Sequence, residues 1–94
     1  MNLEQIIREK QGSIVDVRTP AEFRGGHAQD SINIPLNELP QRLEELKGLA
    51  QPIVLCCASG GRSAQAHRYL AQQHINCHDA GSWLDVNYYQ SQTV

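Results

Sequence analysis

The apolar run Ile53-Val54-Leu55-Cys56 is followed at once by Cys57-Ala58-Ser59-Gly60-Gly61-Arg62-Ser63, and then by a helical pattern over residues 64–73. A short, unbroken apolar run closed by a glycine-containing loop is the pattern of a strand buried on both faces. Such a strand needs sheet neighbours at its sides and helices above and below it. This one segment therefore points the chain to an α/β layer architecture.

The flanking sequence supplies the other layers. Leu3, Ile6 and Ile7 recur at helical spacing, so residues 1–10 read as an amphipathic helix stopped by Gly12. The β-branched run at 13–17 reads as a buried strand. Thr19 is a candidate N-cap, Pro20 takes the first helical position, and Glu22 at the third closes a capping box. Gly25-Gly26 end that brief helix. Residues 31–35 read as a second strand, stopped by Pro35. Leu36, Leu39, Leu43, Leu46 and Leu49 then mark a helix over about 37–47, with Pro40 near its start and Gly48 beyond its end. Residues 75–79 read as a fourth strand, and 81–84 begin a last helical turn or two. The expected fold is a small, mostly parallel central sheet with helices on both faces. Its core covers about residues 3–86, and residues 87–94 form a polar, loosely docked tail.

Composition narrows the function. Ninety-four residues make a single domain, 1–94, and with 40% apolar and 5% aromatic residues its core is aliphatic. The net charge is -2 and the eight basic residues are scattered, which argues against nucleic acid or an acidic membrane surface as partner. The first twelve residues lack the apolar stretch of a signal peptide, and no segment approaches the roughly 20 apolar residues of a membrane span. Three cysteines, two of them adjacent, do not make a disulfide framework. A reducing, cytoplasmic setting and a monomer are expected.

In parallel α/β sheets, sites form beyond the carboxyl ends of the strands. Cys57 falls there, on a loop that opens a helix. Backbone N–H groups and the helix dipole favour an anion at such a place, and a thiolate is an anion. Gly60 and Gly61 permit backbone angles that let N–H groups turn inward as a nest. Arg62 can meet an incoming anion, Ser59 and Ser63 can donate hydroxyl hydrogen bonds, and Ser63 can cap the helix. Cys57 is thus the expected nucleophile, and Ala58, Ser59, Gly60, Gly61, Arg62 and Ser63 the expected binding loop.

Other reactive residue types have plainer readings. Cys56 precedes Cys57 on the strand and so faces the other way, into core. Cys77 reads as a half-buried strand residue. Adjacent cysteines lack zinc-ligand spacing, so Cys56, Cys57, Cys77 and His78 make a poor metal site. Asp16 and Arg18 read as a structural network at a strand end, Glu22 as a cap partner, and His27 as a hydrogen-bonded loop residue. His67 and His74 read as solvated helix-face residues. Trp83 covers core beside the site.

Three ordered signatures resemble the rhodanese homology domain in its single-domain form. The first is Val15-Asp16-Val17-Arg18-Thr19-Pro20-Ala21-Glu22-Phe23, continued by Gly26-His27-Ala28 and by residues 31–35. The second is the Cys57 loop, of the form C-x-x-G-x-R-S. The third is Ala80-Gly81-Ser82-Trp83, similar to the family's Gly-Gly-aromatic turn, with Ser82 where Gly is common. A short strand before the first helix, common in the family, has little room here. The resemblance implies a sulfurtransferase. Cys57 would take a sulfane sulfur from thiosulfate or another donor as a persulfide, then pass it to cyanide or a thiol. No cofactor or metal is implied. Two alternatives stay open: a persulfide relay whose donor or acceptor is a protein, and a phosphatase or arsenate reductase. The C-x4-R spacing from Cys57 to Arg62 argues against the latter, because cysteine phosphatases use the longer C-x5-R loop.

Overall fold

The computed structural model describes residues 1–92; Thr93 and Val94, the end of the expected tail, lie outside the described residues. Four strands form one parallel sheet: β1 (Ser13–Asp16), β2 (Ile32–Asn33), β3 (Ile53–Cys57) and β4 (Cys77–Ser82), in the spatial order β2-β1-β3-β4. Among the described residues, five α-helices accompany them: α1 (Leu3–Arg8), α2 (Pro20–Arg24), α3 (Leu43–Gly48), α4 (Gly61–Gln72) and α5 (Trp83–Ser91). The α/β class and the parallel sheet are those expected from the sequence.

β3 is central, and all five of its residues are buried. Its side chains divide the core in two by simple alternation. Ile53, Leu55 and Cys57 pack with Val15, Val17, Leu46, Ala66 and Leu70 on one face. Val54 and Cys56 pack with Ile6, Ile7, Ala80 and Val86 on the other. Helices α3 and α4 supply the first cluster, and α1 and α5 the second.

Several boundaries differ from the sequence reading. The leucine-rich stretch is not one helix over 37–47. A 3-10 turn at Leu36–Glu38 precedes a gap at Pro40, and α3 starts only at Leu43. Proline near a helix start removes a donor and lets the chain break there. β4 begins at Cys77 and runs to Ser82, later than expected, with a register shift opposite Leu55 and Cys56. The last helix is longer than one or two turns. α5 continues to Ser91, with Val86 buried and Gln90 Nε2 donating to the Gln29 carbonyl at 2.9 Å. The expected loose tail therefore holds docked helix through residue 91.

α2 forms as its sequence specifies. Thr19 caps it, Pro20 opens it, and the Thr19–Glu22 capping box is complete. This short helix fixes Glu22 beside the start of the helix that follows β3.

Candidate active site

Cys57 ends β3, and α4 begins four residues later at Gly61. The intervening turn is tight. Gly60 stands at φ +107° and is the N-cap of α4, a conformation that L side chains resist. Gly61 has an ordinary conformation with open space where a Cβ would sit, so only the first glycine of the pair is required by the backbone. Because the helix starts at Gly61, Ser63 is not its cap. It lies in the first turn, buried, with its N–H and hydroxyl beside the sulfur.

The Cys57 Sγ receives the Gly60 N–H at 2.9 Å and the Ser63 N–H at 3.4 Å. Ser63 Oγ lies 3.5 Å from the sulfur and donates to the Gly60 carbonyl at 3.1 Å. In the thiol form the S–H points to Ser63 Oγ. On ionisation that hydroxyl can rotate and donate to the sulfur instead. Burial opposes the charge and pushes the thiol up. Hydrogen bonds from the Ser63 hydroxyl and from the N–H groups of Ser63, Gly60 and Ser59 outweigh it and hold Cys57 below its ordinary value. The N-terminus of the twelve-residue α4 adds its dipole in the same sense.

Cys56, one residue earlier, is completely buried on the other sheet face and is pushed up to about 12, first by burial and then by the Asp16 carboxylate. Cys77 is half-buried, with Sγ 3.8 Å from the His67 carbonyl oxygen, and burial raises it too. Of the three thiols, only that of Cys57 is held below its ordinary value.

Arg62 differs most from its expected place. Among the described residues its guanidinium bonds only Glu22. Nη1 donates to Oε1 at 2.7 Å and Nη2 to Oε2 at 3.0 Å, across 40 positions of sequence. The pair is about one-third exposed on each side. Glu22 Oε1 also accepts the Thr19 N–H at 3.0 Å, so one carboxylate closes the α2 cap and holds the arginine of the loop. The guanidinium, then the Thr19 N–H, hold Glu22 down to about 2. Ala58 and Ser59 sit exposed at the loop tip.

A second ion pair lies at the end of β1, where Asp16 is in register with Cys56. Asp16 and Arg18 are buried, joined by Nη2–Oδ2 at 2.7 Å and by two bonds from Nε. Arg18 also donates to the Gly26 carbonyl at 2.7 Å, and its guanidinium carbon stands 4.8 Å from the Trp83 ring centre. Asn33 completes the strand-end network by donating to the carbonyls of Asp16 and Arg18. The sequence suggests this network but not the stacking on Trp83, which comes from 65 positions away. His27 is exposed, with Nδ1 2.8 Å from the Phe23 carbonyl oxygen and its ring stacked on Phe23. Among the described residues, no cluster of three or more His, Cys, Asp or Glu could hold a metal.

Comparison with known proteins agrees with this architecture. A sulfurtransferase of Allochromatium vinosum is 42% identical over 60 residues, covering 64% of this chain and 55% of its own length. The chain thus spans about half the length of curated relatives of that kind. The thiosulfate sulfurtransferase GlpE of Pseudomonas syringae is 31% identical over 93 residues, covering 96% of this chain and 87% of that protein. The crystal structure of a rhodanese-like domain protein from Staphylococcus aureus superimposes with a TM-score of 0.76 at 29% identity, over 90% of this chain and 83% of that one. The family model described as the rhodanese-like domain matches residues 2–89, nearly end to end, and the chain belongs to that family.

Proposed function

We propose that this chain is a sulfurtransferase that carries a sulfane sulfur as a persulfide on Cys57. The observation behind the reading is the Cys57 Sγ itself. It is held by the N–H groups of Gly60 and Ser63 at the start of α4, with its pKa lowered although it is buried. A thiolate prepared in this way attacks the outer sulfur of a donor such as thiosulfate. The S–S bond of the donor breaks, sulfite leaves with the electron pair, and Cys57 keeps the sulfur as a persulfide anion. The loop's N–H groups serve both anions, thiolate and persulfide. Cyanide or a thiol then takes the outer sulfur and returns the thiolate.

A second reading has specific support. Arg62 is already bonded to Glu22, so a small anionic donor does not find the loop's own guanidinium free. This favours a relay fed by a persulfide, on a protein or a small thiol, with feeble thiosulfate turnover. The same pair weighs against phosphatase chemistry, where an arginine must grip the phosphoryl oxygens.

Intact mass after incubation with each donor tests the proposal. One sulfur atom should add to the wild type and none to Cys57→Ser, and the added sulfur should leave as thiocyanate on treatment with cyanide. A wild-type protein that gains no sulfur from thiosulfate or from any persulfide would overturn it.

A further inference from the structure

Building on the sulfurtransferase reading, we propose that Glu22 determines donor specificity: by occupying both terminal nitrogens of Arg62, it turns the Cys57 site away from free dianionic donors and toward persulfides. Arg62 belongs to the first turn of α4, one residue before Ser63, whose N–H faces the sulfur. It is the basic side chain of the loop itself. Glu22 meets it with a bidentate pair at 2.7 and 3.0 Å, which takes up both terminal nitrogens.

The carboxylate is not a loose surface group that thiosulfate could push aside. Thr19 donates to Glu22 Oε1 through its N–H at 3.0 Å and lies 3.1 Å from it through its hydroxyl. The capping box therefore fixes the carboxylate where Arg62 finds it. For a dianion to take Arg62, this pair must open, and the freed carboxylate then stands beside the incoming negative charge. The arrangement leaves the backbone N–H groups around Cys57 available to sulfur while cancelling the one cationic side chain of the loop.

Both donors perform a balanced reaction. From thiosulfate, attack by the Cys57 thiolate gives the Cys57 persulfide anion and sulfite. From an alkyl persulfide, the same attack expels a thiolate, which takes up the persulfide's proton and leaves as a thiol. Only the first donor brings two negative charges to the mouth of the site and sends two away.

The test is steady-state kinetics with cyanide as acceptor, using thiosulfate and the persulfide of 2-mercaptoethanol as donors. Glu22→Gln removes the charge and keeps an amide that can serve the capping box. It should lower KM for thiosulfate about tenfold with little change in kcat, and leave KM for the persulfide within about twofold. The gain should vanish in the Arg62→Met background. Glu22→Ala, which also loses the side-chain half of the capping box, should show the same fall in KM with a lower Tm. A KM for thiosulfate that stays or rises, or two donors that move together as a clamping role would make them, overturns the proposal. If neither donor loads sulfur on Cys57 in any variant, the sulfurtransferase reading falls and this proposal with it. If both donors load and their ratio does not move, only the role of Glu22 falls.

Discussion

Cys56 and Cys57 are consecutive residues of β3, and almost no surface of either reaches solvent. Cys56 lies among Ile6, Ile7, Val54 and Val86, between the sheet and the α1–α5 layer. Cys57 lies on the opposite face, where the strand ends under the first turn of α4. Burial pushes both thiols up. Among the described residues no donor meets the Cys56 sulfur, and burial first, then the Asp16 carboxylate, push it up to about 12. Cys57 has the Ser63 hydroxyl and the N–H groups of the loop, and it falls. Both sulfurs are closed to water, but Cys56 lies deeper in the core, so depth and donors act in the same sense. Burial keeps Cys56 a thiol, and a single step of strand pleat brings Cys57 under the donors at the start of α4 that outweigh its smaller burial.

The sharpest attempt to break this contrast is to exchange the two roles. Cys57→Ser should lose sulfur transfer by about a thousandfold or more, since the covalent step has no substitute nucleophile. Cys56→Ala should keep it. Comparable losses in both, measured as thiocyanate formation, would mean that the two thiols act together. The buried Asp16–Arg18 network on the neighbouring strand end gives the next largest effect. Arg18→Met strands the Asp16 carboxylate, which is fully buried, and should cost about 3–5 kcal/mol in urea unfolding. A loss under 1 kcal/mol would show that Asp16 is satisfied by the Arg18 N–H alone. Gly60→Ala acts on the loop without touching either sulfur. At φ +107° a Cβ should cost about 1–3 kcal/mol. Any shift of the Gly60 N–H off the sulfur should also move the pH midpoint of Cys57 alkylation upward. Unchanged stability and midpoint would remove Gly60 from the account.

Much of this contrast is legible in the sequence, because it depends on local rules. The apolar run ending at Cys57 announces a central strand, alternation assigns Cys56 to core, and Thr19-Pro20-Ala21-Glu22 specifies its own helix start. What stays hidden is whatever requires two distant segments to meet. Glu22 and Arg62 are 40 positions apart, and each has a sufficient local explanation: a cap partner in one helix, a loop cation at the start of another. Their bond exists because α2 and α4 both begin beyond the carboxyl end of the sheet. The same holds for Arg18 against Trp83. The leucine pattern after Leu36 misleads in a different way. Its spacing fits one helix, but Pro40 breaks the backbone while the leucines still reach the core: Leu39 and Leu46 are buried on either side of the gap.

The two thiols should also pull stability in opposite directions as pH rises. Cys57 has a folded value below that of the unfolded chain, about 9.0. Its contribution is fully present above the unfolded value and is lost as pH falls through the folded one. Cys56 is raised from 9.0 to about 12. Its contribution is fully present below 9.0 and is lost as pH climbs toward the folded value, because the unfolded thiol ionises first. Other groups titrate in the same range, so the readout is a difference. Unfolding free energies from urea titrations of wild type and Cys56→Ala should converge between about pH 9 and 10, by about 1 kcal/mol over that unit. Between wild type and Cys57→Ala, the difference should instead move in favour of the wild type up to the unfolded thiol's value. If both differences slope the same way, burial governs both sulfurs, and the N–H groups at the start of α4 do not set Cys57 apart.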